Sequence, residues 1–484
     1  MKTFALPMLA GCLLFSANTL RAENPVIVHE WGTFTSLQDE QGQAIGGINV
    51  DDEPVPDFVY TTGGHQVAAL KHNRWTFGLP PYSAFLGKGG TLAPIGDPSV
   101  TMRLETPVLY IYPPKGQAAA SVPRLDVHVD FHGGILSQYY PYATVLGTTA
   151  TASGPVDLTG QTMSGLYWSG VRIGSVGAPV QSDDKVWTTP RETTAPKLEV
   201  KAMVYDPDKK GDVATPQAEH FLFYRGVGHL DSPLLLFHEN APDQDLISVN
   251  ARTEMEKVQG WIVDVRPNAT CAFRQVNLSQ GLFSLGAMHF RPDVSTAFNV
   301  GDFSPQALIQ LKASMQAALV EAGLYPDEAS AMLRTWELSY FESPGLRFFY
   351  IVPRAWVNRT LPLAVTGAPV LITRVMVGRI ELISDQQKAI LARLAIEPYA
   401  DLAALKNDAM QLLNTSPRFT MQEKLEFESG ERPLSELGIP ISPGVSDYLS
   451  LGRFRDALIM HEQQERPSEN LARFIKENDL AAAR

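Results

Sequence analysis

The chain has 484 residues, with 40 Lys and Arg against 52 Asp and Glu, a net charge of −12. That balance, with no basic cluster, argues against nucleic acid and anionic membrane as partners. A composition of 44% hydrophobic and 19% charged residues excludes a disordered chain, and the length exceeds a single core, so two or three domains are expected.

Residues 1–22 read as an export leader. Lys2 supplies the positive start, Phe4 to Phe15 an apolar run, and Ala22 a small residue ahead of the expected cut. Leu9-Ala10-Gly11-Cys12 also fits a lipobox, so lipidation at Cys12 stands as the alternative processing route. The expected location is a periplasm or the cell exterior. Loss of Lys2 and Arg21 with the leader moves the net charge from −12 to −14. Cys271 is then the one remaining thiol, so no intramolecular disulfide is available and stability must come from core burial. No later stretch reaches the roughly 18 apolar residues of a membrane helix.

Past the leader, VIVHEWGTFTS (26–36) reads as a first strand, rich in β-branched and aromatic residues. Asp51, Asp52 and Glu53 follow, bounded by prolines, and residues 63–100 form a Gly/Pro-dense loop carrying His65, His72 and Trp75. Strand patterns then recur at 100–114, 124–134, 164–174, 197–205, 220–228, 233–239, 246–252 and 260–267. Short strands at about 10–15-residue spacing predict a sandwich or barrel.

The texture changes near residue 301. Ser304-Pro305 is an N-cap with Pro at the first helical position, and its helix runs to Gly323. A second helix is expected over 327–340. Strands return at 346–353 and 371–382, and Ser384 with Gln387 makes a capping box into a further helix. More helix is expected near 401–413, 447–465 and 468–480. The fold class is therefore α+β: a β-rich, sandwich-like body over 23–300, divisible into two subdomains, and a mainly helical region over 301–484 containing two returning strands.

Segments HEWGTFTSLQDEQG (29–42), GGINVDDEPVPDFV (46–59), MRLETPVLYIYPP (102–114), FLFYRGVGHLDSPL (221–234) and PGLRFFYIVPRAWV (344–357) span most of the mature chain. With these segments the chain resembles a family of uncharacterised exported proteins from planctomycetes and other Gram-negative bacteria. The resemblance implies export and a shared fold, and it carries over no functional residue.

The chemistry-bearing pattern is RLDVHVDFHGG (124–134). Its period of two puts Leu125, Val127, Val129 and Phe131 on one strand face and Asp126, His128, Asp130 and His132 on the other. Same-face neighbours stand roughly 6–7 Å apart, so His128 and Asp130 can share a divalent ion such as Zn²⁺ or Ca²⁺ given further ligands. His128 and His132, about 13 Å apart on a straight strand, can do so only if the chain bends at Gly133-Gly134. The competing expectation is the solvated polar face of an antiparallel strand.

His29-Glu30 and His238-Glu239 are His-Glu pairs whose members point to opposite strand faces, so half-buried histidines near strand ends are expected. The Asp51–Glu53 triad reads as a cation ligand or a solvated turn. Arg225, His229 and Asp231 read as an anion-facing loop or a turn, with Gly226 and Gly228 permitting close backbone approach. DPDKKGD (206–212) reads as a β-turn, because Lys210 stands where a calcium loop needs an acid. No nucleophile elbow, phosphate loop, dinucleotide fingerprint or paired CxxC appears, and Cys271 reads as buried filler.

Two functions are carried forward. The first is an exported binding or structural protein of the cell envelope. The second is a metal-dependent hydrolase, with His128 and Asp130 or Asp126, His132 if the strand bends, and one of His29, His65 or His229 as a further ligand.

Overall fold

The computed structural model describes residues 24–50, 55–62, 97–147, 158–206, 210–241, 244–251, 257–266, 268, 270–279, 293–396, 402–424, 437–440, 442–477 and 480. The leader with Cys12, the Asp51–Glu53 triad, and His65, His72 and Trp75 lie outside the described residues.

Eighteen strands are described. They are β1 (Val26–Gln38), β2 (Tyr60–Thr61), β3 (Met102–Tyr112), β4 (Leu125–His132), β5 (Gly134–Tyr140) and β6 (Thr144–Gly147). Next come β7 (Met163–Ile173), β8 (Leu198–Asp206), β9 (Gly211–Glu219), β10 (Leu222–Gly228), β11 (Leu234–Ala241) and β12 (Gln244–Ala251). The last six are β13 (Lys257–Val265), β14 (Cys271–Ser279), β15 (Asp293–Ser295), β16 (Gly345–Ile351), β17 (Leu363–Thr366) and β18 (Val370–Leu382). The helices are α1 (Lys185–Thr188), α2 (Pro305–Glu321), α3 (Pro326–Thr335), α4 (Arg354–Thr360) and α5 (Asp385–Ile396). They continue as α6 (Leu402–Thr415), α7 (Pro443–Ser450), α8 (Arg455–Glu465) and α9 (Glu469–Glu477). The protein is mixed α+β and β-rich, with sheets concentrated in the N-terminal body and helices towards the C-terminus. Among the described residues no helix is long and apolar enough to cross a membrane.

A nine-stranded sheet, in the order β14-β13-β16-β18-β1-β3-β10-β5-β2, is the spine. β1 and β18 pair in parallel along all 13 residues of each. Two strands that follow residue 301 in sequence, β16 and β18, thus lie inside this sheet. β17, which the sequence pattern did not separate, joins β4 in a second sheet with β7, β8, β9 and β6. β11, β12 and β15 form a third.

One apolar core takes side chains from all three sheets: Val28 and Phe34 of β1, Val127 and Val129 of β4, Trp168 of β7, Leu236 of β11 and Phe348 of β16. This is compatible with the sandwich-like packing expected from the strand spacing. The opposite face of the large sheet is covered by helices, where Trp31, Tyr110, Trp261 and Phe349 meet Leu311 and Met315 of α2 and Met332 of α3. Ser304 caps α2 by accepting from the Ala307 N–H at 3.0 Å, and α2 begins with Pro305, as the sequence predicts. The second expected helix ends earlier, at Thr335, and continues as a wide π-type turn over Glu337–Glu342. A third core is built by α5 to α9, with Leu37, Ile48, Ile135 and Val227 of the β-body packed into it.

Candidate functional site

β4 folds as its pattern requires. Leu125, Val127, Val129 and Phe131 are fully buried, each contributing about 1.5–3 kcal/mol of apolar transfer, while the other four side chains alternate half-exposed. His128 Nε2 lies 3.0 Å from Asp130 Oδ1. Gly165, opposite Asp130 in β7, makes room for this pair, because a Cβ there would fall 2.6 Å from Asp130 Oδ1. Asp126 is drawn away. Its Oδ1 accepts the Gly170 N–H at 2.8 Å and the Ser169 hydroxyl at 3.3 Å. That backbone hydrogen bond, ahead of the small opposing effect of burial, lowers its pKa. His229 approaches the end of β4 through its backbone, donating to the Gly133 carbonyl at 2.8 Å. Its imidazole lies against the Ser99 carbonyl instead, Nδ1 to oxygen 2.8 Å. The strand therefore brings two of its four polar side chains together. Among the described residues no group of three or more His, Cys, Asp or Glu side chains is placed to hold a metal ion.

β1 sends His29 and Glu30 to opposite faces of the large sheet, as strand geometry dictates. His29 is buried, not half-buried, and its Nδ1 shares a hydrogen bond with Glu328 Oε2 of α3 at 2.7 Å. The same carboxylate accepts the Tyr112 hydroxyl at 2.7 Å and the Tyr325 N–H at 2.8 Å. Across the sheet, Glu30 accepts from Arg374 Nε at 2.5 Å and from the Tyr224 hydroxyl. Both sets are buried networks that tie distant segments together.

Arg225 is not presented to solvent. It lies in β10, 1% exposed, and donates from Nη2 to the Thr106 hydroxyl at 2.9 Å. Gly226 serves the close approach foreseen for it, since a Cβ there would lie 2.6 Å from the Ile135 carbonyl oxygen. Asp206 and Gly211 form the last pair of the β8–β9 ladder, with Lys210 at φ 48°, and the rest of the expected turn, residues 207–209, lies outside the described residues. Cys271 is buried, which pushes its thiol up to about 11 against the opposing pull of Lys312.

A well-formed opening lies elsewhere. A cavity of about 480 Å³ lies where the ends of β13 and β16 meet the start of α5 and the end of α7. Its wall includes His238 of β11, Asp264 and Arg266 at the end of β13, Phe298, Glu342 before β16, and Ser384 to Gln387 at the start of α5. The α5 corner is rigid. Ser384 N–H donates to Gln387 Oε1 at 2.9 Å, the Gln387 N–H returns to Ser384 Oγ at 3.2 Å, and Gln387 Nε2 binds the Leu451 carbonyl at 2.8 Å. The capping box legible in the sequence is thus part of the cavity wall.

Charge in this cavity is of both signs. Arg266 Nη2 stands 3.0 Å from Asp264 Oδ2, and its guanidinium rests over the Phe303 ring at 4.4 Å. Burial pushes the Asp264 carboxyl up, outweighing the lowering effects of Arg266 and Arg347. Glu342 is exposed and, among the described residues, held by no ion pair. Asp385 is mostly exposed, with Lys388 Nζ 3.1 Å away. A cavity with a few converging polar groups and a perturbed carboxyl is the usual form of a small-molecule site.

Sequence reasoning passed over Asp264, Arg266 and Glu342. Asp264 and Arg266 stand two apart at a strand end, the same period-two signal that singled out β4, and that signal was available. Glu342 carries none, because it sits in an irregular turn.

No family model matches the chain, and no curated protein matches it.

Proposed function

We propose that the protein is an exported binding protein of the cell envelope and that the cavity between the β-body and α5–α7 is its ligand site. The observation that carries this reading is the cavity itself: about 480 Å³, with a charge-bearing wall held by a capped helix start. That volume falls inside the roughly 300–1,000 Å³ range of small-molecule sites. The leader pattern, the acidic mature chain and the resemblance to exported proteins support export; the buried ion-pair networks support a scaffold role for the charged residues outside the cavity.

The test is thermal melting of the mature protein against a library of metabolites, beside Ala297→Trp. Ala297 lines the cavity and is exposed, so the indole fills space there and removes no side-chain partner. The reading expects a rise in melting temperature with some members, lost in Ala297→Trp. No rise with any member, or an equal rise in the variant, overturns it.

The second reading, a metal-dependent hydrolase, is favoured by the 3.0 Å contact of His128 with Asp130 above Gly165. Elemental analysis of the protein purified without chelator decides it. Stoichiometric metal that disappears in His128→Ala supports it, and metal-free protein with unchanged chelator response removes it.

A further inference from the structure

We propose that the ligand of this cavity is a zwitterion with an apolar body, in the class of free amino acids and short peptides. This rests on the ligand-site reading above and specifies it. Three charged side chains at the cavity decide the class. Arg266 supplies a fixed cation, held over Phe303 at 4.4 Å with one guanidinium nitrogen committed to Asp264 at 3.0 Å. A guanidinium carries five N–H donors, so donors remain for a ligand carboxylate. Glu342 supplies an exposed anion without an ion-pair partner among the described residues, and Asp385 adds a second carboxylate, mostly exposed and 3.1 Å from Lys388 Nζ.

A neutral ligand seated here takes water from both signs of charge and compensates neither charge. An anionic ligand compensates Arg266 and is repelled by Glu342 and Asp385; a cationic ligand does the reverse. A ligand carrying both an ammonium and a carboxylate compensates both at once. The wall also includes Val265, Leu346 and Leu449 for a hydrophobic side chain.

The test is calorimetric titration of the mature protein with free amino acids and a set of dipeptides covering apolar, aromatic and polar side chains. The N-acetylated and C-amidated forms of each binder follow, with maltose as the neutral comparator. The inference expects a free form to bind and each block to weaken it by about tenfold, the scale of one charge-assisted hydrogen bond. It also expects Arg266→Gln to erase the penalty of the amide alone, and Glu342→Gln that of the acetyl alone. Both are exposed residues, so the variants are expected to fold. Binding of blocked forms as tightly as free forms, or of maltose in their place, overturns the zwitterion and leaves the cavity as a ligand site. Failure of every probe here and of every library member in the melting screen overturns both.

Discussion

Arg453 Nη2, just ahead of α8, lies 2.5 Å from the carboxylate of Glu105 in β3, and both side chains are buried. Residues 348 apart in the chain are thereby joined across the seam between the helical core and the large sheet. Arg103 donates to the same carboxylate at 2.9 Å and Thr35 at 3.1 Å, while Arg453 also binds the Val50 carbonyl at 2.8 Å. Alongside, Glu381 sits 2.6 Å from Arg379 and 3.2 Å from Arg347. Removing one member of such a network leaves buried charge uncompensated. Glu105→Gln is expected to cost about 3–5 kcal/mol in urea unfolding. A loss under about 1 kcal/mol, the scale of a surface pair, would show that the network does not hold the seam.

The same carboxylates set the acid response. Burial alone would raise Glu105, but Arg453, Arg103 and Arg379 together hold it far below its ordinary 4.5. Glu381 is lowered in the same way by Arg347 and Arg379. A lowered folded-state pKa contributes stability that is present above about 4.5 and lost as pH falls through the folded value. Unfolding free energy is therefore expected to fall steeply below that pH, and less steeply in Glu105→Gln. Parallel pH curves for the two proteins would contradict this assignment.

Asp264 runs the other way. Its folded-state pKa is raised by burial, so its contribution is fully present below the ordinary carboxyl value and fades as pH rises through the raised one. Asp264→Asn removes that dependence. Compared with the parent, the variant is expected to gain in relative stability between pH of about 4 and pH of about 7. Urea midpoints at the two pH values measure it, and a constant difference would refute it.

Glu328 holds His29, Tyr112 and the Tyr325 backbone at one point on the helical face of the sheet. Glu328→Ala orphans the two buried side chains and is expected to cost more than about 2 kcal/mol. An unchanged denaturation midpoint would mean that water replaces the carboxylate freely.

Cys271 is fully buried, with its thiol pushed up to about 11. Because the thiolate is the reactive form, Cys271 in the native protein is expected to resist a thiol reagent at neutral pH and to be labelled only on unfolding. Fast stoichiometric labelling of the native protein would contradict the packing of β14.

Local pattern made much of this fold legible, and long-range pairing made the rest illegible. The alternation in β4, the Ser304 cap and the Ser384–Gln387 box depend on residues within a few positions of one another, and each stands in the structure as the sequence predicts. β9 escaped because Pro216 interrupts its pattern, which the sheet tolerates since β9 is an edge strand. β5 was hidden behind the Gly133-Gly134 turn signal. The long continuous helix expected over 447–465 is two helices, split at Leu451 to Phe454. At the polar face of β4, spacing indicated that His128 and Asp130 approach each other, but not that Gly170 takes Asp126. The cavity drew least on local signal. Its wall comes from six separate stretches of chain, and nothing in any one of them announces the others.

Native mass spectrometry of the protein, produced in cells and purified without a denaturing step, addresses the ligand site most directly. The account predicts a stoichiometric small-molecule adduct on the parent protein that is absent from Ala297→Trp. An adduct retained in full by Ala297→Trp, or a parent protein that carries none and melts unchanged against every library member, would contradict it.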